Sequence, residues 1–245
     1  RFLGRIAKFK LNRPGSENLS NFERSVDRAT TMCELRNVRM EIRWLGNSTF
    51  EIRSSAGMVV VDHQGALPKP ADIEDDNTIF VFSQGDHASH PAGKHQVLTG
   101  PGEYEIGGLS VRGVATPADD PAISRDTNTV YIVDADGMQV ATLGNPGSQP
   151  SAQSVQQISK VDVLIINTEA QRLETEELST VIRSLEPKMI VPSGYDSEAG
   201  KPSAAMSRLL TELGVKEVEP TPRLNISRSG LPDERTVVVL QSRTS

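Results

Sequence analysis

The sequence predicts an α/β protein in which two β-sheets pack together and are flanked by helices. Between residue 40 and about residue 143, short alternating or apolar runs are separated by glycine turns, a pattern typical of strands. From residue 151 onward, segments with helical spacing of apolar residues alternate with short buried runs. Strands first, followed by alternating helices and strands, favour an α/β sandwich.

The first half is predicted to be a succession of short strands. Alternating residues on both sides of Gly46-Asn47 predict a β-hairpin, and Asp136-Gly137 between two apolar runs is a strong hairpin signal. Glu103 and Glu105 alternate with apolar neighbours, which predicts a strand with both carboxylates facing outward. The predicted strands are residues 41–45, 49–53, 58–62, 78–82, 96–98, 104–106, 109–114, 129–133 and 139–143.

The second half is predicted to contain three helices. In residues 175–185 the apolar side chains share one face, and Pro187 follows the last turn. Ser151 is the expected N-cap of a short helix that ends at residue 158, and Gly214 ends a helix over residues 203–213. Buried strands are predicted between and after the helices at residues 161–166, 188–191 and 236–240.

Composition excludes several classes of protein. The chain has 245 residues and a formal net charge of -6, which argues against nucleic-acid binding through phosphate neutralisation. No apolar run approaches the roughly 20 residues that a membrane span needs, so we expect no membrane association. A single cysteine, Cys33, excludes an intrachain disulfide and a cysteine-rich zinc site. These features predict a cytoplasmic protein.

The charge is unevenly distributed along the chain. Residues 1–39 carry a net charge of +5, whereas the remainder carries -11. We therefore predict two parts, a basic and flexible extension over residues 1–39 and a folded domain over residues 40–245. The pattern changes abruptly at Met40, and we expect the extension to lie upstream of the true start of the domain. The alternative is that the extension contacts a partner.

Five separated motifs indicate a known family. They are WLGNSTFEI at residues 44–52, GPGEYEI at 100–106, NTVY at 128–131, LGN at 143–145 and LPDE at 231–234. In this order they resemble the metallo-β-lactamase superfamily. The resemblance runs from about residue 40 to residue 240 and is strongest to small bacterial metallo-hydrolases similar to L-ascorbate-6-phosphate lactonases. It implies a four-layer αββα sandwich.

The resemblance also implies a metal site whose ligands this chain lacks. The family holds two metal ions with a Ser-His-x-His-x-Asp-His loop, a histidine after a later strand, an aspartate in Leu-Gly-Asp and a histidine in Ile-Pro-x-His. Such ions lower the pKa of a bound water and so generate hydroxide near neutral pH. Of the residues at these positions, only Asp86 retains a metal-binding side chain. The positions are occupied here by Gln84, Asp86, Ala88, Ser89, Ala118, Asn145 and Gly194.

Coherent loss in four separate loops predicts that the fold is kept and the metal centre is erased. On this interpretation the protein is a pseudo-hydrolase without a cofactor, acting as a binding or scaffold domain. A cleft between the sheets would remain, and we expect Asp62, His63 and Tyr195 to line it. Its partner would be a small polar molecule or a protein, and the sequence leaves the ligand and the oligomeric state open.

A second hypothesis is a rebuilt metal site. His87 and His90 are close to Asp86 in a loop rich in glycine and serine, and together they offer two imidazoles and a carboxylate. They would bind one zinc or similar divalent ion. The protein would then hydrolyse a phosphorylated, ester or lactone substrate.

Overall fold

A computed structural model describes residues 39–63, 77–84, 95–118, 127–169 and 171–243. The predicted basic extension lies outside these residues, except for Arg39 at its end. The same holds for the loop that contains Asp86, His87, Ala88, Ser89 and His90.

Among the described residues, one sheet has six strands in the order β14-β1-β2-β3-β4-β5. These strands are β1 (Met40–Gly46), β2 (Thr49–Arg53), β3 (Met58–Val61), β4 (Thr78–Val81), β5 (Gln96–Leu98) and β14 (Leu224–Ile226). The first three form the predicted antiparallel meander. The pairs β3–β4 and β4–β5 are parallel, so the carboxyl ends of β3 and β4 lie at the same edge.

The second sheet has seven described strands in the order β15-β11-β10-β9-β8-β7-β6. They are β6 (Gly102–Ile106), β7 (Leu109–Pro117), β8 (Thr127–Ala135), β9 (Met138–Thr142), β10 (Val163–Ile166), β11 (Met189–Pro192) and β15 (Thr236–Val237). Strands β6 to β9 are antiparallel, and β9, β10, β11 and β15 are parallel. A small hairpin, β12 (Tyr195–Asp196) with β13 (Lys201–Pro202), follows β11.

The main core lies between the two sheets. Alternate residues of each strand point inward, as the period of two in a pleated strand requires. The first sheet contributes Ile42, Phe50, Ile52, Val59 and Val61, and the second contributes Val111, Tyr131, Val133, Val140 and Val163.

Three described helices cover the outer face of the second sheet. They are α1 (Ala152–Ile158), α2 (Thr175–Leu185) and α3 (Ala204–Glu212). The hydroxyls of Ser151 and Ser203 accept backbone N–H bonds at the starts of α1 and α3, which confirms the predicted cap at Ser151. The apolar face of α2 packs on Leu164, Ile166 and Ile190. The described residues place no helix on the outer face of the first sheet, so the structure tests three of the four predicted layers.

The predictions fail where strands are very short. In the stretch predicted as a strand over residues 236–240, only Thr236–Val237 pairs continuously with β11, and Leu240 makes an isolated bridge to Thr221. The strand β14 and the β12–β13 hairpin were not predicted. Segments of two or three residues carry too little alternation to be recognised, and β14 is defined by its pairing with β1 instead.

Candidate functional site

The candidate site lies at the edge where the carboxyl ends of the parallel strands of both sheets meet. Loops that leave such ends commonly carry binding and catalytic groups. From the first sheet come Asp62 after β3 and Gln84 after β4. From the second come Ala118 after β7, Asn145 after β9 and Gly194 after β11. Five of the predicted positions therefore lie at strand ends on this edge.

Asp62 braces the two loops of the first sheet. Its backbone is left-handed, with φ of 45°, which turns the chain sharply after β3. Its carboxylate accepts two hydrogen bonds from Ser83. The backbone N–H of Ser83 donates to Oδ1 at 2.6 Å, and its hydroxyl Oγ donates to Oδ2 at 2.9 Å. The carbonyl of Ser83 then accepts the backbone N–H of Thr129 at 2.7 Å, which joins the two sheets. Asp62 is thus committed to holding the loop in place.

Asn128 is the hub of the second sheet at this edge. The residue is fully buried at the start of β8. Its Nδ2 donates to Thr116 Oγ1 at 2.9 Å and to the carbonyl of Leu143 at 3.0 Å. Its Oδ1 accepts the backbone N–H of Asn145 at 2.8 Å. One neutral side chain therefore fastens β7 and β9 to β8 and orients Asn145.

Asn145 is connected to two further predicted positions by hydrogen bonds. Gln84 Nε2 donates to its carbonyl at 3.3 Å, across the gap between the sheets. Its own Oδ1 accepts the backbone N–H of Arg172 at 3.0 Å. Arg172 Nη1 in turn donates to the carbonyl of Ala118 at 2.7 Å. The structure therefore brings Gln84, Ala118 and Asn145 together, with an arginine between the last two.

Gly194 lies against the loop that follows β10. Its φ is 96°, and a Cβ at this position would lie 2.7 Å from Thr168 Oγ1, so the backbone packs too closely for a side chain. Thr168 Oγ1 donates to the carbonyl of buried Ser193 at 2.8 Å. Tyr195, which was predicted to line the cleft, is half-buried and packs against the main core.

His63 follows Asp62 and packs against an aromatic ring of the first sheet. Its ring is buried, with its centroid 5.8 Å from that of Phe80. Phe80 belongs to a separate apolar cluster with Met58, Val60 and Phe82, on the strand faces that point away from the main core. Burial lowers the pKa of His63 below its usual value, because the charged imidazolium loses solvation. His63 therefore contacts one aromatic ring of this cluster.

Tyr131 is the buried polar group beneath the site. Its hydroxyl donates to the carbonyl of Gly100 at 3.2 Å. Burial, followed by the nearby charges of Tyr104 and Asp62, raises the pKa of Tyr131 above its usual value. Tyr131 therefore stays neutral under ordinary conditions and pins the glycine turn before β6.

A groove of about 440 Å³ lies away from this edge, on the outer face of the second sheet. Its lining includes the exposed acids Glu103, Glu105 and Asp134, with Arg112 and Gln139 between them. Strand register explains the grouping, since Glu103 faces Arg112 and Asp134 faces Gln139 on neighbouring strands. The outward orientation predicted for Glu103 and Glu105 is confirmed.

The described residues at the candidate site do not fit a metal pair. Ala118 and Gly194 have no side-chain donor atom, and Asn145 offers a neutral amide whose oxygen already accepts a hydrogen bond. Within the described ranges, no group of three histidine, cysteine, aspartate or glutamate side chains is placed to hold a metal ion. The alternative set of Asp86, His87 and His90 falls outside those ranges.

Comparison with known proteins identifies the class. A family described as "Beta-lactamase superfamily domain" matches residues 41–193, which is more than half of the chain. The chain therefore belongs to the metallo-β-lactamase superfamily, as the five motifs predicted. No curated protein matches the sequence. The similarity to L-ascorbate-6-phosphate lactonases stays a prediction.

Solved structures share the fold at low sequence identity. A metallo-β-lactamase superfamily protein from Thermotoga maritima, assigned as a zinc-dependent hydrolase, is 24% identical with a TM-score of 0.66, covering 83% of this chain and 100% of its own. A metallo-hydrolase from Ignicoccus hospitalis is 14% identical with a TM-score of 0.51, covering 77% and 97%. An isothiocyanate hydrolase from Delia radicum gut bacteria is 13% identical with a TM-score of 0.51, covering 78% and 100%. These likenesses establish the fold.

No helix within the described ranges is long and apolar enough to cross a membrane.

Sequence reasoning missed three residues that organise this edge. Asn128 was recognised only as part of a motif, and the role of Ser83 was not recognised. Their partners are distant in sequence, so no local pattern reveals the bonds. Arg172 follows β10 in a polar loop and carries no motif at all. Its role becomes visible only when the fold places Asn145 and Ala118 beside it.

Proposed function

We propose that this protein is a non-hydrolytic member of its superfamily that binds a small polar molecule in the cleft at this edge. The observation that carries the proposal is the bonding around Asn145. Its side-chain oxygen is occupied by Arg172, its backbone N–H by Asn128 and its carbonyl by Gln84. The side-chain amides of Gln84, Asn128 and Asn145 thus join loops that the metal ions of the family would otherwise join.

The chemistry of the residues supports this interpretation. Metal-assisted hydrolysis needs histidine or carboxylate ligands and an open coordination position that activates water. A neutral amide cannot bridge two cations as a carboxylate does, and Ala118 and Gly194 supply no ligand. What these residues do supply is a set of hydrogen-bond donors and acceptors at the edge where loops of the two sheets meet, which suits recognition of a polar molecule.

Metal content tests the proposal most directly. The full chain would be purified without an affinity tag from medium supplemented with zinc, manganese and iron, and its metals measured by elemental analysis. We expect far less than one metal ion per chain. A variant with Gln84→His, Ala118→His and Asn145→Asp restores three ligand-type side chains and is expected to take up more metal than the natural chain. Stoichiometric metal in the natural chain would contradict the proposal.

The competing candidate is a metal-dependent hydrolase with a rearranged site, favoured by the closeness of Asp86, His87 and His90 in the sequence. The same measurement on a triple alanine variant at these positions distinguishes the two. Metal that is present in the natural chain and lost in the variant would establish the rearranged site. Hydrolysis of ester, lactone or phosphodiester substrates should then disappear with it.

A further inference from the structure

We infer that strand β6, at the end of the second sheet, binds an extended segment of a partner protein in which basic residues alternate with apolar ones. The segment would add to the sheet as one more strand. The inference goes beyond the proposed function and does not depend on it. It is carried by the backbone of β6, by its two acids and by its apolar face.

Strand β6 is the last strand of its sheet, and only β7 pairs with it among the described residues. The two strands are joined by Gly107 and Gly108, whose φ values of 58° and 88° are those of a type I′ turn. In a hairpin with such a two-residue turn, the flanking residues exchange both backbone hydrogen bonds. Here those residues are Ile106 and Leu109.

This register decides which backbone groups face the open edge of β6. Hydrogen bonding alternates along an antiparallel pair, so Tyr104 bonds to β7 as Ile106 does. Glu103 and Glu105 therefore direct their N–H and C=O groups away from β7. Both groups of each glutamate are available to an added strand, which is the way extended peptides bind at sheet edges.

Strand β6 is held in place at both ends. Asn77 Nδ2 donates to the carbonyl of Gly107 at 3.0 Å and also to the carbonyl of Ala56, which ties the turn to the loop between β2 and β3. Before the strand begins, the Tyr131 hydroxyl donates to the carbonyl of Gly100 at 3.2 Å. An edge that is already ordered loses less conformational freedom when a partner binds.

The two faces of β6 differ in chemistry. Glu103 and Glu105 are exposed on the outer face, where they line the groove of about 440 Å³. Tyr104 and Ile106 lie on the opposite face and are half-buried against the main core. An added strand would continue this division, because residues directly opposite each other share a face of the sheet. Its side chains next to Tyr104 and Ile106 would be apolar.

The charge of the outer face favours basic side chains in the added strand. Glu103, Glu105 and Asp134 line the groove with a single cation, Arg112. Arg112 is directly opposite Glu103 on β7, but no ion pair within the described ranges joins them. A lysine opposite each glutamate would form a stabilising cross-strand pair, whereas a second copy of β6 would place like charges together. The expected segment therefore reads basic, apolar, basic.

The test uses the full chain and a short fluorescent peptide, capped at both ends, in which lysine and valine alternate. Binding is measured by fluorescence anisotropy at low salt concentration. We expect saturable binding. A peptide of the same composition with its lysines in one block should bind roughly ten-fold more weakly or worse, because it cannot place lysine on one face and valine on the other.

Two N-methylated peptides test strand addition without any change to the protein. Lysines opposite the glutamates would donate their backbone N–H groups to β6, whereas the valine N–H groups would point away from it. N-methylation of the lysine nitrogens should abolish binding, and N-methylation of the valine nitrogens should preserve most of it. Equal losses from the two peptides would contradict strand addition.

Protein variants test the role of the acids. Glu103→Gln combined with Glu105→Gln should weaken binding roughly five-fold or more, since each cross-strand charge pair accounts for about two- to five-fold. Glu212→Gln combined with Glu217→Gln removes the same charge from exposed positions elsewhere, and should weaken binding by less than about two-fold. Arg112→Gln removes the opposing cation and should tighten binding.

Several results would overturn the inference. Absence of saturable binding to the natural chain would do so, and so would equal affinity in the Glu103→Gln, Glu105→Gln variant and its control. Equal binding of the alternating and block peptides would show only a general attraction between opposite charges. Thermal unfolding of each variant is recorded alongside, so that a loss of folded protein is not mistaken for a loss of affinity.

Discussion

Replacing Asn128 with alanine should destabilise the protein more than almost any other single change at this edge. The side chain is fully buried and makes three hydrogen bonds, to Thr116, Leu143 and Asn145. A neutral hydrogen bond contributes about 1 kcal/mol, and a buried group left without its partner costs about 1–3 kcal/mol. The expected loss is therefore about 3–5 kcal/mol, a large share of the total stability of a domain.

Urea unfolding measures this loss. With a slope of about 2–3 kcal/mol per molar urea, the midpoint should fall by roughly 1–2 M. Asn225→Ala is the matched control, because Asn225 is an exposed asparagine in β14 and its replacement should change stability by less than about 0.5 kcal/mol. A loss below about 1 kcal/mol for Asn128→Ala, or one equal to the control, would refute the assignment of Asn128 as the hub.

Asn128→Asp refines the test because it keeps the acceptor oxygen and removes only the two donor bonds. A carboxylate oxygen would then face the carbonyl of Leu143, which disfavours the charged form in the folded state. The folded-state pKa of the introduced acid should therefore lie above its unfolded value. Stability should be lost as pH rises through that range and recovered as pH falls, the opposite of the usual behaviour of a paired aspartate.

Three further predictions concern other residues. Gly144 has φ of 65°, and a Cβ added there would lie 2.7 Å from the Cβ of Ser83. Gly137 has φ of 71° with open space around it. Both Gly→Ala changes should cost about 1–2 kcal/mol for the left-handed backbone, and Gly144→Ala should cost clearly more in urea unfolding because of the clash. Equal losses would contradict the packing argument. Asp162→Ala should lower stability by about 2–3 kcal/mol, since it removes a buried carboxylate that pairs with Arg228 and accepts a backbone N–H. A double-mutant cycle with Arg228→Ala should show a coupling energy between the two residues, and strictly additive losses would contradict the ion pair. Burial lowers the pKa of His63, so folding favours the neutral imidazole. The stability that depends on this neutral form should be present above pH 6.5 and lost as pH falls through the folded-state pKa. His63→Gln should reduce the drop in urea midpoint between pH 7.5 and pH 5, and an unchanged drop would assign the pH dependence to other groups.

Much of the fold could be predicted because its elements have strong local patterns. The helix over residues 175–185 was predicted with the bounds that the structure has, since its apolar face and its acidic first turn both lie within one segment. The hairpin at Asp136-Gly137 was predicted from two residues whose backbone has positive φ. Strand β14 was missed because it pairs with β1 at the opposite end of the chain. Nothing within Leu224–Ile226 distinguishes it from a loop.

The site could be predicted only as a set of positions. The resemblance placed Gln84, Ala118 and Asn145 after predicted strands, and the structure has them there. The sequence did not indicate what these residues would contact. Arg172 reaches Ala118 over a separation of 54 residues, and such a contact is created by the fold rather than by local spacing.

Under the proposed function, the bonds at this edge would also explain how its loops stay joined without metal. Metal ions join loops from different strands, and their loss would ordinarily leave those loops unconnected. Here Asp62 fastens the loops after β3 and β4, Asn128 fastens those after β7 and β9, and the bond from Gln84 to Asn145 links the two sheets. Each of these links uses hydrogen bonds to backbone groups, which need no metal ion to form.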